Sequence, residues 1–574
     1  MVSPGNGHPP AHDSSYTAAA GHTTAAAVGK QYAHDFAVAP GGEQRGDGGD
    51  DGHVTSEQYA RRARLVGQDG TPEALRIDFH HPLEDWLGRR PARWLLRWLS
   101  AERPLRRFPA RWATTVLERA VFSYRNAAVP LSQRVRYWPI HFIIDLLRGR
   151  SSPRAVRKRL AEHVPTVRGL TIVARSVGEF GLTVPQRFSV PLLAVWNFTN
   201  RCNLACRHCY QDSARAALAD ELTRDEKLRL VDEMGGLHMP MLAISGGEPT
   251  LSDDLLPVVR RSAGWGMHLS LATNGTTMTA ELAGRLAEAG LRYVEISLDS
   301  VDAARHDAFR GVRGMWRRAV AGARVVAATP PLRLGIAMCV HSGNVGEVEA
   351  MIDFAEQLGA GCFAHFNFIP VGRGLRMVSG DIAPARREEL LDLLNRRMQA
   401  GGMGVISTAP QLGRVCLAGA ALEGRTACSH AGSGSGAKAR VVAKYLGGCG
   451  AGRCYVCVEP DGDVTPCVYL PHRVMGNVRR RPLAEIFRSS VFWDVLNDRT
   501  RRLHHCRVCA FRDYCGGCRA RADAYFGQLH AGDPGCIFNE RHWEALVASG
   551  VAVVPDASTA PADLHLTATR HGPA

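Results

Sequence analysis

Pro191-Leu-Leu-Ala-Val-Trp-Asn-Phe-Thr-Asn-Arg-Cys-Asn-Leu-Ala-Cys-Arg-His-Cys-Tyr210 is the stretch on which the reading of this chain turns. Its first six residues form a short apolar run that reads as a strand. Cys202, Cys206 and Cys209 follow at C-x3-C-x2-C spacing. Three thiolates can hold three irons of a [4Fe–4S] cluster and leave the fourth iron open. Clusters that only carry electrons usually take four cysteines. The alternative is a zinc knuckle. Zinc wants four closed ligands, and His208 stands too close to Cys209 to make an ordinary ligand pair with it.

Downstream, short apolar runs alternate with amphipathic segments. The expected strands are Leu192–Phe198, Met241–Ser245, His268–Thr273, Tyr293–Leu298, Arg333–Val340 and Phe363–Ile369. Thr223 followed by Glu226 is a capping box that opens a helix over Arg224–Met234. Six β/α units predict an α/β fold with a parallel sheet and outer helices. In such folds chemistry sits at the C-terminal strand ends, which is where the three cysteines fall.

Composition sets the wider frame. A chain of 574 residues suggests two or three folded units, and 45% hydrophobic residues is ordinary for a globular protein. The net charge of +15 comes almost wholly from arginine and is concentrated before residue 160. Residues 1–70 are rich in Gly, Ala, His, Ser and Asp, carry few large apolar side chains, and read as a disordered tail. Five histidines from His8 to His53 are irregularly spaced and read as part of that solvated tail.

Residues 71–188 read as a basic helical extension. Trp94 and Trp98, like Arg93 and Arg97, lie four apart. This extension reads as a cap on the catalytic domain, with peripheral membrane contact as a second reading. Nucleic acid is set aside because charge alone is unspecific. Sixteen cysteines, clustered in short spacings and without a secretory signal, read as metal ligands in a reducing cytoplasm. No apolar run reaches the ~20 residues of a membrane span.

The cysteine motif after its strand resembles the signature of the radical S-adenosylmethionine (SAM) superfamily. The resemblance implies a partial (β/α)6 barrel over residues 189–406. It also implies that the open iron chelates SAM and that SAM is cleaved reductively to a 5′-deoxyadenosyl radical. Ile244-Ser-Gly-Gly-Glu-Pro249 resembles the family segment that binds the SAM amino group, which gives that role to Gly246, Gly247 and Glu248. Thr273 and Asn274 end the third strand, and Ser297 and Asp299 end the fourth. Both resemble segments lining the SAM pocket. Arg310 matches an arginine that approaches the SAM carboxylate, for which a bidentate fork suits. A structural ion pair between Asp299 and Arg310 is the competing reading.

Residues 407–540 carry a second cysteine field, followed by a tail over 541–574. Cys449, Gly462 and Cys467, then Cys506-x2-Cys509-x5-Cys515-x2-Cys518 and finally Cys536, resemble the SPASM domain. Gly516-Gly517 stands where that family usually has three residues. The resemblance implies one or two auxiliary [4Fe–4S] clusters. One would use Cys506, Cys509, Cys515 and Cys536. The other would use Cys449, Cys467 and Cys518, with Cys428, Cys454 and Cys457 as candidates for a fourth ligand. Zinc ribbons are the competing reading. Cys339, Cys362 and Cys416 stand alone and read as packed thiols.

Sulfatase maturases carry an aspartate directly after the cysteine equivalent to Cys467, and Val468 stands there in this chain. Phe366–Gly374, Gly448–Arg453, Gly462–Val468 and Cys515–Arg521 are similar to the haem-pathway branch, whose members modify sirohaem-derived tetrapyrroles. The expected function is therefore SAM cleavage coupled to modification of a tetrapyrrole or other cofactor precursor. A low-potential donor of the ferredoxin or flavodoxin kind would supply the electron. A peptide-modifying maturase of the SPASM class is the alternative, and a non-catalytic iron–sulfur sensor or scaffold is the alternative of another class.

Overall fold

The computed structural model describes residues 82–550, apart from 104–107, 109, 111, 148–151, 161–162, 420–424 and 428–432. The expected disordered tail over 1–70 and the candidate ligand Cys428 lie outside the described residues.

Six parallel strands fall where the apolar runs predict: β1 (Leu193–Asn197), β2 (Met241–Ser245), β3 (His268–Thr273), β4 (Tyr293–Ser297), β5 (Arg333–Val340) and β6 (Cys362–Asn367). They pair in sequence order. Six further strands were not expected. β7 (Gly404–Ser407) pairs parallel with β6 and extends the sheet at the expected domain boundary. A short hairpin, β8 (Arg425–Ala427) and β9 (Ser433–Ser435), stands apart. β10 (Tyr455–Val458), from the second cysteine field, then pairs parallel with β1. β11 (Asp463–Thr465) and β12 (Gly476–Asn477) complete the edge antiparallel. The result is one open ten-stranded sheet in which β1 to β6 form the expected parallel run of a partial barrel, and strands of the cysteine-rich region join it at the β1 edge.

The two faces of the sheet differ. Ala194, Trp196, Leu242, Ile244, Leu269, Leu271, Val294 and Ile296 are fully buried beneath the outer helices. Their alternating neighbours Val195, Ala243, Ser245, Ser270, Ala272, Glu295 and Ser297 are only half-buried. A parallel sheet is ordinarily covered on both faces. Here one face is sealed and the other is only partly covered. The helix Arg224–Gly236 opens with the expected capping box between Thr223 and Glu226, a feature worth ~1 kcal/mol.

The basic extension packs on the barrel. Helix Val164–Phe180 inserts Arg168, which is 1% exposed, and its guanidinium donates to the carbonyls of Gly235, Met239 and Trp265. Helix Val116–Ser123 brings Glu118 to His238 Nδ1 at 2.7 Å, and Glu102 lies 3.3 Å from Nε2 of the same ring. Glu84 accepts from the Tyr445 hydroxyl and ties the first described helix to Gly436–Leu446. At the other end, Glu540–Ala548 is a helix with Trp543 buried, so ordered structure extends into the stretch read as the C-terminal tail.

Burial acts to lower the pKa of His238, but its hydrogen bonds to Glu102 and Glu118 outweigh this and raise it. Its contribution is therefore full below the unfolded value near ~6.5 and is lost as pH rises through the raised folded value. Glu118 and Glu102 are both lowered from 4.5. Their contribution is present above about pH 4.5 and fades on acidification. We expect hydrogen exchange in Val116–Ser123, corrected for intrinsic rates, to be slowest between these limits and to quicken on the alkaline side. A His238→Gln variant should lose most of this pH dependence.

Candidate functional site

The cysteine loop leaves the C-terminal end of β1 and is pinned from three sides. Phe198 N–H donates to Ser245 O at 2.9 Å, Gly247 N–H to Thr199 O at 2.8 Å and Glu248 N–H to Arg201 O at 2.8 Å. Ala205 and Arg207 N–H donate to the carbonyls of Arg310 and Phe309 at 3.1 and 3.0 Å. Arg373 Nε donates to Cys206 O at 2.9 Å. The Gly-Gly-Glu segment therefore runs against the loop backbone. Gly246 has φ +121°, and a Cβ on Gly247 would lie 2.3 Å from Arg201 O. No side chain fits at that approach.

Cys202, Cys206 and Cys209 pack together with Leu204, Val312 and Met315. Burial pushes the Cys202 thiol up to about 12, and Glu248 and the other two thiols add to the rise. Arg310 Nη1 donates to Cys206 Sγ at 3.7 Å, and Ser213 N–H to Cys209 Sγ at 3.4 Å. His208 does not join them. Its ring stacks on Phe309 at 4.5 Å, and burial holds its pKa down at about 3. Three soft thiols without a fourth protein donor among the described residues suit a cluster with an open iron better than a closed zinc site.

The expected SAM-pocket residues share one network with this loop. Glu248 is fully buried, and its carboxylate accepts from Thr273 Oγ1 at 2.7 Å, Asn274 N–H at 2.8 Å and Thr250 N–H at 3.2 Å. Its side chain stitches β2 to β3, so only backbone groups of this segment are left to face a ligand. Asn274 Nδ2 donates to Asn203 Oδ1 at 2.8 Å, which joins the third strand end to the cysteine loop. Asp299 and Arg310 form a buried pair at 2.6 Å, and Cys339 N–H donates to the other Asp299 oxygen at 3.0 Å. Burial acts to raise the Asp299 pKa, but Arg310 beside it holds it at about 2. The ion-pair reading of these two residues is thus present, and it places the guanidinium against Cys206. Ser297 is half-buried at the end of β4.

The later cysteines gather in two groups. Burial raises the Cys536 pKa, and Cys506, Cys515 and Cys509 add to the rise while Arg414 opposes it, so these groups lie within electrostatic reach of one another. Cys449, Cys467 and Cys518 share a second apolar cluster with Tyr455. The groups are linked where Cys449 N–H donates to Cys515 O at 3.1 Å. Gly516 and Gly517, the departure from the usual spacing, both have positive φ and make the tight turn between Cys515 and Cys518.

Strand alternation separates two of the fourth-ligand candidates. Cys454 lies with Val456 and Val458 in the main core, whereas Cys457 falls on the face of Tyr455. Cys457 Sγ lies 3.4 Å from Glu459 Oε1. Cys416 is fully buried in the main core, and Cys339 packs against Phe309, Phe368 and Met377.

One group was not anticipated. Glu459 ends β10 and accepts from Asn197 Nδ2 at 2.8 Å. Asn197 Oδ1 accepts from the Tyr210 hydroxyl at 2.8 Å, which also lies 3.2 Å from Ser245 Oγ. This chain of bonds spans from the residue after Cys209 to the second cysteine field. Burial raises the Glu459 pKa. The available signal was an acid at the end of an apolar run, Tyr455-Val-Cys-Val-Glu459.

Residues 196–355 match the radical SAM superfamily, and residues 449–510 match SPASM, an iron–sulfur cluster-binding domain. An AdoMet-dependent heme synthase of Methanosarcina barkeri is 33% identical over 352 residues, covering 61% of this chain and 97% of that protein. A PqqA peptide cyclase of Streptomyces rochei is 30% identical over 371 residues, covering 62% and 92%. The crystal structure of Streptococcus suis SuiB bound to S-adenosylmethionine superposes with a TM-score of 0.52 at 16% identity, covering 73% of this chain and 92% of that one, a likeness of fold.

The close approach at Gly247 gives a direct check. Gly247→Ala should force the Gly-Gly-Glu segment off the cysteine loop and destabilise the protein by about 1–3 kcal/mol. Gly264→Ala, where an added Cβ meets nothing within 4 Å, should leave the denaturant midpoint unchanged or slightly raised. Equal midpoints for the two variants would contradict the packing described.

Proposed function

The chain belongs to the radical SAM superfamily and carries a SPASM domain, and on that footing we propose that its substrate is a tetrapyrrole or a related cofactor precursor bearing carboxylate side chains. When bound, the [4Fe–4S] cluster and SAM supply the radical. The residues of this chain hold, orient and shield. Cys202, Cys206 and Cys209 would anchor the cluster. The backbone of Gly246 and Gly247, with Thr273, Asn274 and Ser297, would line the SAM pocket. Glu248 and Asp299 act through others in this reading, the first by fixing the Gly-Gly-Glu segment and the second by orienting Arg310. Arg310 donates through Nε to Asp299 and through Nη1 to Cys206 Sγ, and in this reading it would approach the SAM carboxylate. Cys506, Cys509, Cys515 and Cys536, with Cys449, Cys467 and Cys518, would hold the auxiliary clusters. A ferredoxin- or flavodoxin-like donor would supply the electron.

The observation that carries the substrate reading is the 33% identity to a heme synthase across 97% of that protein. The absence of an acid at Val468 supports it. Glu459 is then a candidate acid–base group, joined to the residue after the cysteine motif through Asn197 and Tyr210. The 30% identity to a peptide cyclase favours a second reading, in which the open face takes a peptide.

Two measurements test this. Anaerobic incubation with SAM, dithionite and either tetrapyrrole carboxylates or precursor peptides should give substrate-dependent 5′-deoxyadenosine and a mass change in the tetrapyrrole. A mass change in a peptide alone would overturn the substrate reading. Alanine at Cys202, Cys206 and Cys209 together should abolish deoxyadenosine and remove about 4 of the ~12 iron atoms expected for three clusters. Retained SAM cleavage would refute the assignment of these cysteines.

A further inference from the structure

Helices Leu131–Arg136 and Trp138–Leu147 present an apolar stripe away from the protein. Leu131, Val135, Trp138, Phe142 and Leu146 are spaced four, three, four and four apart, which puts them on one side. Their exposures are 67%, 62%, 64%, 57% and 72%, and Ile143 beside them is 46% exposed. Trp138 and Phe142 stack on each other at 5.8 Å.

The inward side carries the anchoring contacts. Tyr137 is buried against Val116 and Ala120. His141 Nε2 lies 2.9 Å from Ala120 O, and Asp145 accepts from the Tyr124 hydroxyl at 2.6 Å. An ordinary surface helix turns its apolar side in and its polar side out. This one is inverted, and its one acid is turned inward onto Tyr124 and Arg125.

The surrounding charge points to the occupant. Residues 82–160 hold 17 arginines and one lysine against five acids, a net +13 out of the +15 of the whole chain. Arg134 and Arg136 flank the stripe, and the sequence continues with Arg148 and Arg150. Apolar aromatics bordered by arginine fit the boundary between lipid headgroups and acyl chains, where tryptophan is enriched. Basic residues beside an anionic leaflet add attraction within a Debye length. Among the described residues no helix is long and apolar enough to cross a membrane. We infer that this face rests on an anionic lipid bilayer, with Trp138, Phe142 and Leu146 entering the interface and the arginines holding the headgroups.

The inference is independent of the substrate reading. The full chain should be sedimented with phosphatidylcholine vesicles, with and without phosphatidylserine. We expect binding to the anionic vesicles to be at least about tenfold stronger and to weaken with salt. A Trp138→Ser, Phe142→Ser, Leu146→Ser variant should lose about tenfold or more of that binding, and the Trp138 contribution to a tryptophan blue shift should vanish with it. Circular dichroism and retained SAM cleavage would show the variant folded. Should it misfold, Arg134→Glu with Arg136→Glu serves instead and should weaken anionic binding specifically. Absence of wild-type binding to anionic vesicles would overturn the inference. So would full binding by a folded triple variant, or a stripe that only joins two copies of the chain without lipid.

Discussion

Buried thiols are the constraint around which this chain is organised. Thiolates taken out of water are costly unless positive charge or a bound metal offsets them. Cys202, Cys467 and Cys515 are each pushed up to about 12 by burial. The protein lines these places with arginine. Arg310 stands at Cys206, and Arg414, itself paired with Glu388, stands near Cys515 and Cys536. Arg453, Arg499, Arg502 and Arg519 are buried around the later cysteines, with their donors on backbone carbonyls. Burial, with Arg453 nearby, lowers Arg499 to about 10, so it still carries its charge at neutral pH. Such a shell is suited to clusters bearing thiolates, and it couples cofactor loading to folding.

The same constraint explains why the cysteine-rich region is not a detached module. β10 extends the sheet beyond β1, so the second cysteine field inherits the register of the barrel. Asp381 accepts from Arg387 at 2.6 Å and from Arg521 at 2.7 Å. Arg521 reaches on to Asp533, whose carboxylate also receives Cys518 N–H at 2.9 Å. This buried network runs from the barrel helix Pro384–Ala400 to the turn that carries Cys518. Removing one partner of such a pair leaves a charge uncompensated, at a cost of about 3–5 kcal/mol. The gain is a fixed placement of the turn that carries Cys518 against the helix Pro384–Ala400.

Much of this was legible in the sequence because it is local. Apolar runs gave six strands to within a residue or two, since side-chain period and turn residues act over short spans. Thr223 and Glu226 announced their cap, and the glycines at 246 and 247 announced a close backbone approach. What escaped depends on partners far away in the chain. β10 is four residues long and reads as part of a cysteine cluster until β1 is placed beside it. His238 meets Glu118 across 120 positions, and no local pattern marks either. The arginine excess reads as a compositional bias in one dimension. In three dimensions part of it is the charge shell of the thiols and part lies in the N-terminal helices. Cys454 and Cys457 are equivalent by spacing and become distinct only when strand alternation sends them to opposite faces.

Strand direction decides what the open face can do. All strands from β10 through β1 to β7 run the same way, so their C-terminal ends converge on one rim. Asn197, Ser245, Thr273, Ser297 and Glu459 stand on or just beyond that rim. The cysteine loop crosses above it, tied down by the Gly-Gly-Glu segment. Asn197, Ser245, Thr273 and Glu459 on this rim are already engaged in hydrogen bonds, which holds their side chains in place below the loop. The fully buried side of the sheet holds that rim rigid, and the half-buried side leaves room beside it. The placement of the rim and of its backing thus comes from the same parallel register.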